Sequence, residues 1–419
     1  MNNAIIEFLN LRETYIESIQ CSSLKDELIV NLSLLQKNQV CPRCHLVTNK
    51  VLNFYTRKVN HGIFINRKCI VYFKQKRYKC HSCLHTFNEP STLVSKSQKK
   101  SRASHMQIME LLKDPHTTFT YVARLLSLSD NTVIDTFYDN VPDYKPSMPE
   151  MLCIDEVYLG RNSTKKYAAV LLDFKKNAMT DIIYGRNKDD FHHYLQKFSK
   201  EELNKVKYLS TDMFEGYRSL QKMYFKHALL CVDSFHVIQL INTMFHKELL
   251  RIMRNYEKDS IEYYLLKHKK YFLLKNSDSV KDWYKQEYNH KLGYFLYLTR
   301  YRELLFNIDP LIKDLYELKV DYIAFNRLKD KELIIQRFDI LLNRFINHEN
   351  REIVRVGRTL LKWKQEILNS FNWYKGRRIS NGPIESRNNT IKLVIRNAAG
   401  YRKFNHLRTR IIYCVNTNK

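Results

Sequence analysis

Residues 152–159, Leu-Cys-Ile-Asp-Glu-Val-Tyr-Leu, decide the fold of this 419-residue chain. The stretch is an apolar run with two acidic residues in its middle, a composition that predicts a buried β-strand. Alternation along such a strand directs Asp155 and Val157 to one face and Ile154 and Glu156 to the other. A carboxylate inside a buried strand costs roughly several kcal/mol unless it is paired or binds a metal. For a single acidic residue, a strand-end Asp that caps a loop is the more common arrangement.

Two further stretches end in a carboxylate and favour a metal site instead. They are residues 208–212 (YLSTD) and residues 381–385 (NGPIE). Cleavage of a phosphodiester needs an activated water or 3′-hydroxyl and a stabilised leaving oxygen, and two Mg²⁺ ions about 3.5–4 Å apart supply both. Because Mg²⁺ takes oxygen ligands and keeps several waters, a few carboxylates suffice. We interpret Asp155, Asp212 and Glu385 as a divalent-metal site for phosphoryl transfer on DNA.

The stretch around Glu385 predicts the start of a helix. Pro383 suits the first helical position, and Glu385 then falls in the first turn, where the helix dipole favours a carboxylate. That position alone would account for the glutamate. The same helix, however, gathers one acid, two amides and two bases on one face, which suits a metal ligand beside bound phosphates. These residues are Glu385, Asn388, Asn389, Lys392 and Arg396.

The balance of charge points to a polyanionic partner. Lys and Arg number 70 and Asp and Glu number 43, which gives a formal net charge of +27. Such an excess over a folded chain favours nucleic acid, with an anionic membrane surface as the second candidate. No apolar run approaches the roughly 18 residues of a spanning helix, and the N-terminus lacks the basic region of a signal peptide. We therefore expect a cytoplasmic protein with reduced thiols and no membrane partner.

Four of the nine cysteines form two CxxC pairs, Cys41 with Cys44 and Cys80 with Cys83. In a reducing compartment these pairs predict one tetrahedral Zn²⁺ site, because the two-residue gap lets both thiolates of a turn face the same ion. Two unrelated pairs or disulfides are the alternative. The residues between the pairs must form a hairpin or a small sheet. Residues close enough in sequence to replace one ligand are His45, His81, His85 and Cys69.

Two segments near the cysteine pairs suggest contacts with DNA. A predicted strand at residues 68–73 continues into a basic stretch with Lys76 and Arg77, which suits phosphates, although a solvated strand face has the same composition. Helical patterns at residues 120–128 and 130–138 then indicate a helix-turn-helix, with Ser129 or Asp130 as the N-cap of the second helix. Near the start of that helix lie Asn131 and Thr132, which are predicted to enter the major groove.

From residue 151 onward the pattern of apolar residues predicts strands. Three predicted strands, a helix, a strand, a helix and a strand follow one another up to residue 233, which by analogy is the order of an RNase-H-like domain. In such a sheet the first strand neighbours the fourth, and the fifth lies about 9.6 Å from the first. We therefore expect Asp212, rather than Asp233, to share a metal with Asp155. Asp233 and His236 are expected to support the site or line the DNA path.

Together these features resemble the DDE transposases of bacterial insertion sequences, in the branch called ISL-three. The motifs that carry the resemblance are residues 154–156 (IDE), 212–217 (DMFEGY), 232–237 (VDSFHV), 76–83 (KRYKCHSC), and 381–385 (NGPIE) with the amides and bases that follow it. The resemblance covers nearly the whole chain. It implies that Asp155, Asp212 and Glu385 are catalytic and bind Mg²⁺ or Mn²⁺. It also implies that the partners are double-stranded DNA, as terminal inverted repeats and target, and further copies of the chain, as a homodimer or larger assembly.

The expected fold class is a multidomain α+β protein. A zinc-binding domain covers residues 1–95 and a helix-turn-helix covers residues 104–141. An RNase-H-like α/β catalytic core covers residues 150–236 and 372–419, and an all-helical insertion at residues 237–371 interrupts it.

Two other classes of protein stay open. A DNA-binding regulator would use only the zinc and helix-turn-helix modules, and it would leave Asp155 and the Glu385 face without a role. A nuclease of the same fold, such as a junction resolvase, needs neither N-terminal module and would cut DNA without joining it. A strand-transfer assay with Mg²⁺ and the terminal repeats of the element separates the three.

Overall fold

In the computed structural model the described residues are 2–95, 98–161, 163–274, 285–398, 401 and 403–417. They divide into two compact units. Unit 1 comprises Met1–Lys145 and Thr390–Lys419, and unit 2 comprises Pro146–Asn389. The division falls inside the range 372–419, which the sequence analysis assigns as one piece to the catalytic core.

The elements follow one another along the chain in three groups. The first group is α1 (Asn2–Phe8), a 3-10 helix (Glu13–Tyr15), β1 (Ile16–Leu24), β2 (Glu27–Leu34), β3 (Gln39–Val40), β4 (Val47–Thr48), β5 (Val51–Phe64), β6 (Arg67–Lys79), β7 (Thr86–Asn88), α2 (Arg102–Leu111), α3 (Phe119–Leu126) and α4 (Asp130–Asn140). The second is β8 (Met151–Tyr158), β9 (Tyr167–Asp173), β10 (Ala178–Tyr184), α5 (Lys188–Leu195), α6 (Lys200–Leu203), β11 (Tyr208–Thr211), α7 (Glu215–Tyr224) and β12 (Leu229–Val232). The third is α8 (Ser234–Met253), α9 (Ile261–His268), α10 (Tyr271–Leu274), β13 (Gln286–Asn289), β14 (Tyr294–Tyr297), α11 (Leu298–Phe306), α12 (Pro310–Asn326), α13 (Lys331–Ile346), α14 (Arg351–Lys362), α15 (Lys364–Asn369), β15 (Trp373–Tyr374), β16 (Arg377–Arg378), α16 (Gly382–Asn397) and α17 (Phe404–Thr417).

Unit 1 contains a twisted sheet in the order β1-β2-β6-β5, with β7 added beside β6. Strands β2 and β6 run parallel, and the other neighbours run antiparallel. One face of this sheet buries an apolar core that includes Val30, Val59 and Phe73. The short hairpin β3–β4 carries the first cysteine pair, and the turn between β6 and β7 carries the second. The sheet therefore fills the gap between the two pairs, as predicted.

A helical cluster completes unit 1. Helices α3 and α4 begin at capped residues, because Thr118 accepts a hydrogen bond from the Tyr121 N–H and Ser129 accepts one from the Thr132 N–H. Between the helices Ser127 takes a left-handed conformation with φ 50°. The buried residues Ile108, Leu112, Val122, Ala123, Leu126, Val133 and Phe137 form the core of the cluster.

Helix α17 packs on this cluster although it lies far away in sequence. The Tyr413 hydroxyl donates to the Met109 carbonyl (2.9 Å), and the Cys414 thiol donates to the Leu112 carbonyl (3.6 Å). The buried Arg410 donates to the carbonyls of Asp114 (3.1 Å) and Thr117 (3.0 Å). These contacts explain why residues after 389 group with unit 1.

Unit 2 is built on a five-stranded sheet in the order β10-β9-β8-β11-β12. Strand β9 runs antiparallel to both of its neighbours, β8 and β10, whereas β8, β11 and β12 are mutually parallel. The expectation that the first strand of this sheet neighbours the fourth, with the fifth one strand further out, is confirmed. Helices α5 and α7 cover one face, where Ile154, Leu209 and Val232 pack with Phe191 and Tyr217.

The segment after α15 covers part of the other face of the sheet. The Cys231 thiol donates to the Asn369 carbonyl, and the Cys153 thiol donates to the Ser380 carbonyl (both 3.5 Å). Side chains two residues further along these strands therefore point to the same side as this segment. That is the side on which Asp155 lies, as the alternation in the sequence predicts.

The region at residues 237–371 departs from the all-helical expectation. Its described part contains the antiparallel hairpin β13–β14, which turns at Gly293 with φ +82°. The hairpin residues are rich in Tyr, Phe and Lys, which occur in helices and strands alike, so their composition does not identify the strands. Within the described part of the chain, no helix combines the length and apolarity needed to cross a bilayer.

Candidate active site and metal centre

Three aspartates lie at corresponding positions of the three parallel strands of unit 2, Asp155 within β8, and Asp212 and Asp233 directly after β11 and β12. Ser210 on β11 is level with Cys153 on β8, so two residues further along Asp212 is level with Asp155. Thr211 is level with Val232 on β12, so Asp212 is also level with Asp233. Neighbouring strands lie about 4.8 Å apart. The central Asp212 is thus adjacent to both of the other aspartates, which lie two strands apart.

Asp155 is held by two hydrogen bonds. Its Oδ1 accepts from the Glu156 N–H (2.8 Å), and its Oδ2 accepts from Asn388 Nδ2 (2.7 Å). Burial raises the pKa of Asp155, and these hydrogen bonds and the charge of His236 oppose the rise. The amide of Asn388 therefore fixes the orientation of this carboxylate.

Asp212 has fewer hydrogen-bond partners than Asp155. Its Oδ1 is buried and has no hydrogen-bond partner among the described residues. Burial raises the pKa of Asp212 to about 6; His236 lowers it, and repulsion from Glu156 and Asp155 adds to the rise. An oxygen in this position fits a metal ligand, because a cation would supply the missing partner and favour the ionised form.

Asp233 and His236 lie beside Asp155 and Asp212 and complete an acidic cluster. Asp233 is buried, and burial raises its pKa, while His236 and the Asn381 backbone N–H oppose the rise. His236 lies in the first turn of α8, with Nε2 4.0 Å from Asp233 Oδ2. A positive charge on its ring would lower the pKa of all three aspartates. The sequence predicts a supporting role for both residues, and this geometry is consistent with it.

Glu385 does not belong to the acidic cluster of Asp155, Asp212 and Asp233. It lies in the first turn of α16 with an exposed side chain. Among the described residues, no group of three acidic or histidine side chains comes close enough to hold a metal. The structure thus brings Asp155 and Asp212 together and leaves Glu385 apart. Asn388, however, follows Glu385 by three residues on the same helix, and side chains at this spacing are neighbours.

Two residues have positions that the sequence analysis did not assign. Asn381 Nδ2 donates to the Ile154 carbonyl (3.0 Å), which ties the start of α16 to the central strand next to Asp155. Arg186 pairs with Glu156 on the opposite side of the sheet, and its charge lowers the pKa of Asp212. Asn381 lies inside a recognised motif, so the motif was the available signal. Nothing in the local sequence marks Arg186.

The other predicted residues of α16 fall into two sets. Asn388 is buried because its amide binds Asp155, whereas Asn389 is exposed. Lys392 and Arg396 are exposed as well, and they belong to the part of the helix in unit 1. Ile384, Ile391 and Val394 are buried on the other side of the helix, as its amphipathic pattern predicts.

The four predicted cysteines converge in unit 1. Their sulfur atoms all lie within 4.8 Å of one another, and Cys41–Cys83 and Cys44–Cys80 are each 3.5 Å apart. A tetrahedral ion with bonds of about 2.3 Å needs sulfurs about 3.8 Å apart, so the group fits Zn²⁺. Backbone N–H groups of Cys83 and Ser82 lower the pKa of Cys80, which favours a thiolate. Among the described residues this is the one group of three or more cysteine, histidine or acidic side chains that already lie close enough together to hold a metal, and it includes neither the nearby histidines nor Cys69.

The two residues at the end of β6 that were predicted to contact DNA differ in their exposure to solvent. Lys76 is only 1% exposed, and its ammonium binds Glu17 (3.0 Å) and the Leu34 carbonyl. This corrects the expectation for Lys76, because a buried and paired ammonium cannot reach a phosphate. Arg77 is exposed beside Thr86, to which it donates (3.1 Å).

The start of α4 shows a similar contrast. Asn131 is exposed and its side chain points away from the helical core. The Thr132 hydroxyl is instead engaged with Ser129, the N-cap residue (2.8 Å). Of the two residues predicted to read bases, Asn131 is therefore the one whose side chain is exposed and not engaged in capping the helix.

Comparison with known proteins adds an independent finding. A family model described as a transposase, of the ISL3 group of DDE transposases, matches residues 152–411, which is more than half of the chain. A curated protein, the DNA-directed RNA polymerase subunit beta' of Bigelowiella natans, is 28% identical over 159 residues, or 36% of this chain and 20% of that subunit. The chain thus spans about a fifth of the length of that curated relative, and a similarity so low and so partial shows no shared family.

Proposed function

The chain belongs to the ISL3 family of transposases, and we propose that it cuts and joins DNA at the ends of an insertion sequence with Asp155, Asp212 and Glu385 as the catalytic carboxylates. The single observation that carries this proposal is the nearness of Asp155 and Asp212, which each follow by two residues the paired Cys153 and Ser210 of neighbouring parallel strands and repel each other electrostatically. Both carboxyls are half-buried, and this burial raises their pKa values. Buried acids of this kind are costly to a fold and are concentrated at functional sites.

Glu385 is proposed as the third carboxylate because of its place on α16. Asn388, one turn further along, touches Asp155, and Asn381, just before the helix, is bonded to the central strand. These two anchors support an approach of the first turn of α16 to the aspartates. We propose that the exposed Glu385 side chain turns toward the aspartates when a shared ion is bound.

Asp155, Asp212 and Glu385 would hold Mg²⁺, or Mn²⁺, through carboxylate oxygens. The bound ions would activate the attacking oxygen and neutralise charge on the phosphate. Asn388 orients Asp155, His236 moderates the charge of the aspartates, and Asn381 anchors α16. Asp233 is proposed to support the site, because it lies one strand beyond Asp212.

The remaining parts of the proposal concern DNA recognition. We propose that unit 1 is a zinc-stabilised module with a helix-turn-helix made of α3 and α4. Asn131 would read bases of the terminal inverted repeats in the major groove, and exposed basic residues such as Arg77 would contact phosphates. Unit 2 is proposed to be RNase-H-like, on the basis of its strand order. The chain is further proposed to act in the cytoplasm as a homodimer or larger assembly on DNA.

The test is a strand-transfer assay with Mg²⁺ and a duplex that carries the terminal repeat of the element. Asp155→Ala, Asp212→Ala and Glu385→Ala variants should bind this DNA like the unaltered chain but neither cleave nor join it. The matched control is Asp233→Asn, which changes a carboxylate at the same level of the sheet and should keep measurable activity.

Three outcomes would redirect the proposal. Cleavage without joining by the unaltered chain would indicate a nuclease, and specific binding without cleavage would indicate a regulator. Retained strand transfer in Asp212→Ala together with complete loss in Asp233→Asn would assign the metal to the outer aspartate instead.

A further inference from the structure

The hairpin β13–β14 presents aromatic rings to solvent on one face. Tyr288 on β13 pairs with Phe295 on β14, and Gln286 pairs with Tyr297, so these four side chains share a face. Phe295 is 68% exposed, and Tyr288 and Tyr297 are 44% and 49% exposed. The rings of Tyr288 and Phe295 lie 5.0 Å apart between centroids. The two strands thus carry a contiguous aromatic face.

The opposite face of the hairpin is anchored by buried polar groups. Glu287 Oε1 accepts from Lys269 Nζ (2.7 Å) and from the Tyr301 hydroxyl (2.7 Å). The buried Asn289 donates to the hydroxyls of Tyr301 (2.7 Å) and Tyr264 (3.1 Å). A two-stranded hairpin alone is marginally stable in water, so this network is what holds the aromatic face in a fixed position.

The charges around the aromatic face fit a polyanion. The acid of strand β13, Glu287, points inward and is neutralised by Lys269. The exposed Lys285 and Lys291 stand directly before and shortly after that strand. Exposed rings beside cations bind nucleic acid by stacking on bases while the cations attract the phosphates. Duplex DNA hides the faces of its bases, so such a surface acts only on bases that have left the stack.

We propose that the aromatic face of hairpin β13–β14, with Phe295 at its centre, stacks on unpaired bases of the DNA substrate. This inference rests on the proposed function, which supplies DNA as the substrate. The face would hold bases that are displaced where the DNA is opened for cutting and joining. A second copy of the chain is the competing occupant.

The experiment compares binding of the full chain to a fluorescent single-stranded oligonucleotide and to its duplex at one salt concentration. Phe295→Ala should weaken binding to the single strand by roughly fivefold or more and change duplex binding by less than about twofold, because duplex binding depends mainly on phosphates. Phe295→Trp should restore single-strand binding, since it keeps a stacking ring. The matched control is Tyr294→Ala, which removes another exposed ring (45%) from the opposite face of the same strand and should leave both affinities unchanged.

Equal losses in Phe295→Ala and Tyr294→Ala, or equal losses on both DNA forms, would overturn the proposal. Loss of self-association in sedimentation by Phe295→Ala, with single-strand binding intact, would assign the face to a second copy and overturn it as well. The comparison uses no cleavage step. A failure of stacking is therefore distinct from a failure of the proposed function, which is read from strand transfer by the Asp212 variant.

Discussion

Asp212 carries an energetic cost that its surroundings in the protein do not offset. Folding raises the pKa of this carboxyl from its usual 3.8 to about 6, mainly through burial. Between these pH values the folded chain keeps a proton that the unfolded chain has lost. Folding stability therefore falls as the pH rises through this window, and at higher pH the ionised carboxylate remains as a constant penalty.

Asp212→Asn should consequently stabilise the metal-free protein at pH 8 by on the order of 1–2 kcal/mol. The gain should disappear near pH 4, where the native carboxyl is itself protonated in the folded chain. Urea unfolding in the presence of a chelator at the two pH values measures the difference. The exposed Asp259 provides the control variant, Asp259→Asn. An equal gain at both pH values would show that packing, and not charge, is responsible.

At the scale of single residues, the local sequence predicts the face on which a side chain lies better than it predicts which distant residue that side chain contacts. The alternation around Asp155 correctly separates it from Glu156, because that pattern depends only on neighbours in the chain. The hydrogen bond from Asn388 to Asp155 spans 233 residues, and the ion pair of Lys76 with Glu17 spans 59. Neither pairing leaves a local signal, so the role of Asn388 and the burial of Lys76 emerge only in the folded chain.

At the scale of elements, strands with apolar runs are predicted well. Strand β8 and the helices α3 and α4 lie within a few residues of their predicted positions, and the unit 2 sheet has the five strands predicted up to residue 233. The hairpin β13–β14 is missed because its outward face is aromatic and its inward face combines polar residues with the buried Leu296, so no regular alternation of apolar and polar residues marks the strands. Hydrogen bonds to the half-buried Tyr264 on α9 and the buried Tyr301 on α11 stabilise the polar residues of the inward face.

The cysteine group is the element-scale feature with the most direct test. Metal analysis of the purified full chain should find about one Zn per chain. A Cys41→Ser and Cys44→Ser double variant should lose it, because two thiolates cannot close a tetrahedral site. Cys21→Ser, which removes a cysteine outside the group, should retain the metal. Four freely titratable thiols in the folded unaltered chain would contradict the zinc assignment.

At the scale of the whole molecule, the net charge of +27 predicts that the affinity of the chain for DNA depends strongly on salt concentration. The logarithm of the binding constant should fall steeply with the logarithm of salt concentration, with a slope of about −0.9 for each phosphate contacted. Arg77→Ala should reduce the magnitude of this slope by about one and weaken binding to all sequences alike. Titrations of terminal-repeat and random duplexes at several salt concentrations measure both. A slope near zero would contradict a DNA partner held by charge.

The division into two units is the part of the architecture that the order of motifs along the chain does not predict. Composition and motifs are read along the chain, and they assign residues 372–419 to one piece. The grouping of residues 390–419 with unit 1 follows instead from contacts such as that of Tyr413 with Met109. Such long-range packing depends on the complementary shapes of α17 and the helical cluster, which no local pattern encodes.

The packing of α17 also has a consequence for biosynthesis. Tyr413 follows its partner Met109 by 304 residues, and a ribosome that adds roughly 5–20 residues per second needs about 15–60 s to cover that interval. During this time the nascent helical cluster lacks the helix that covers it and keeps apolar surface exposed. Unit 1, although it begins at the N-terminus, is therefore among the last parts of the chain to mature, and a holding chaperone would protect it during translation.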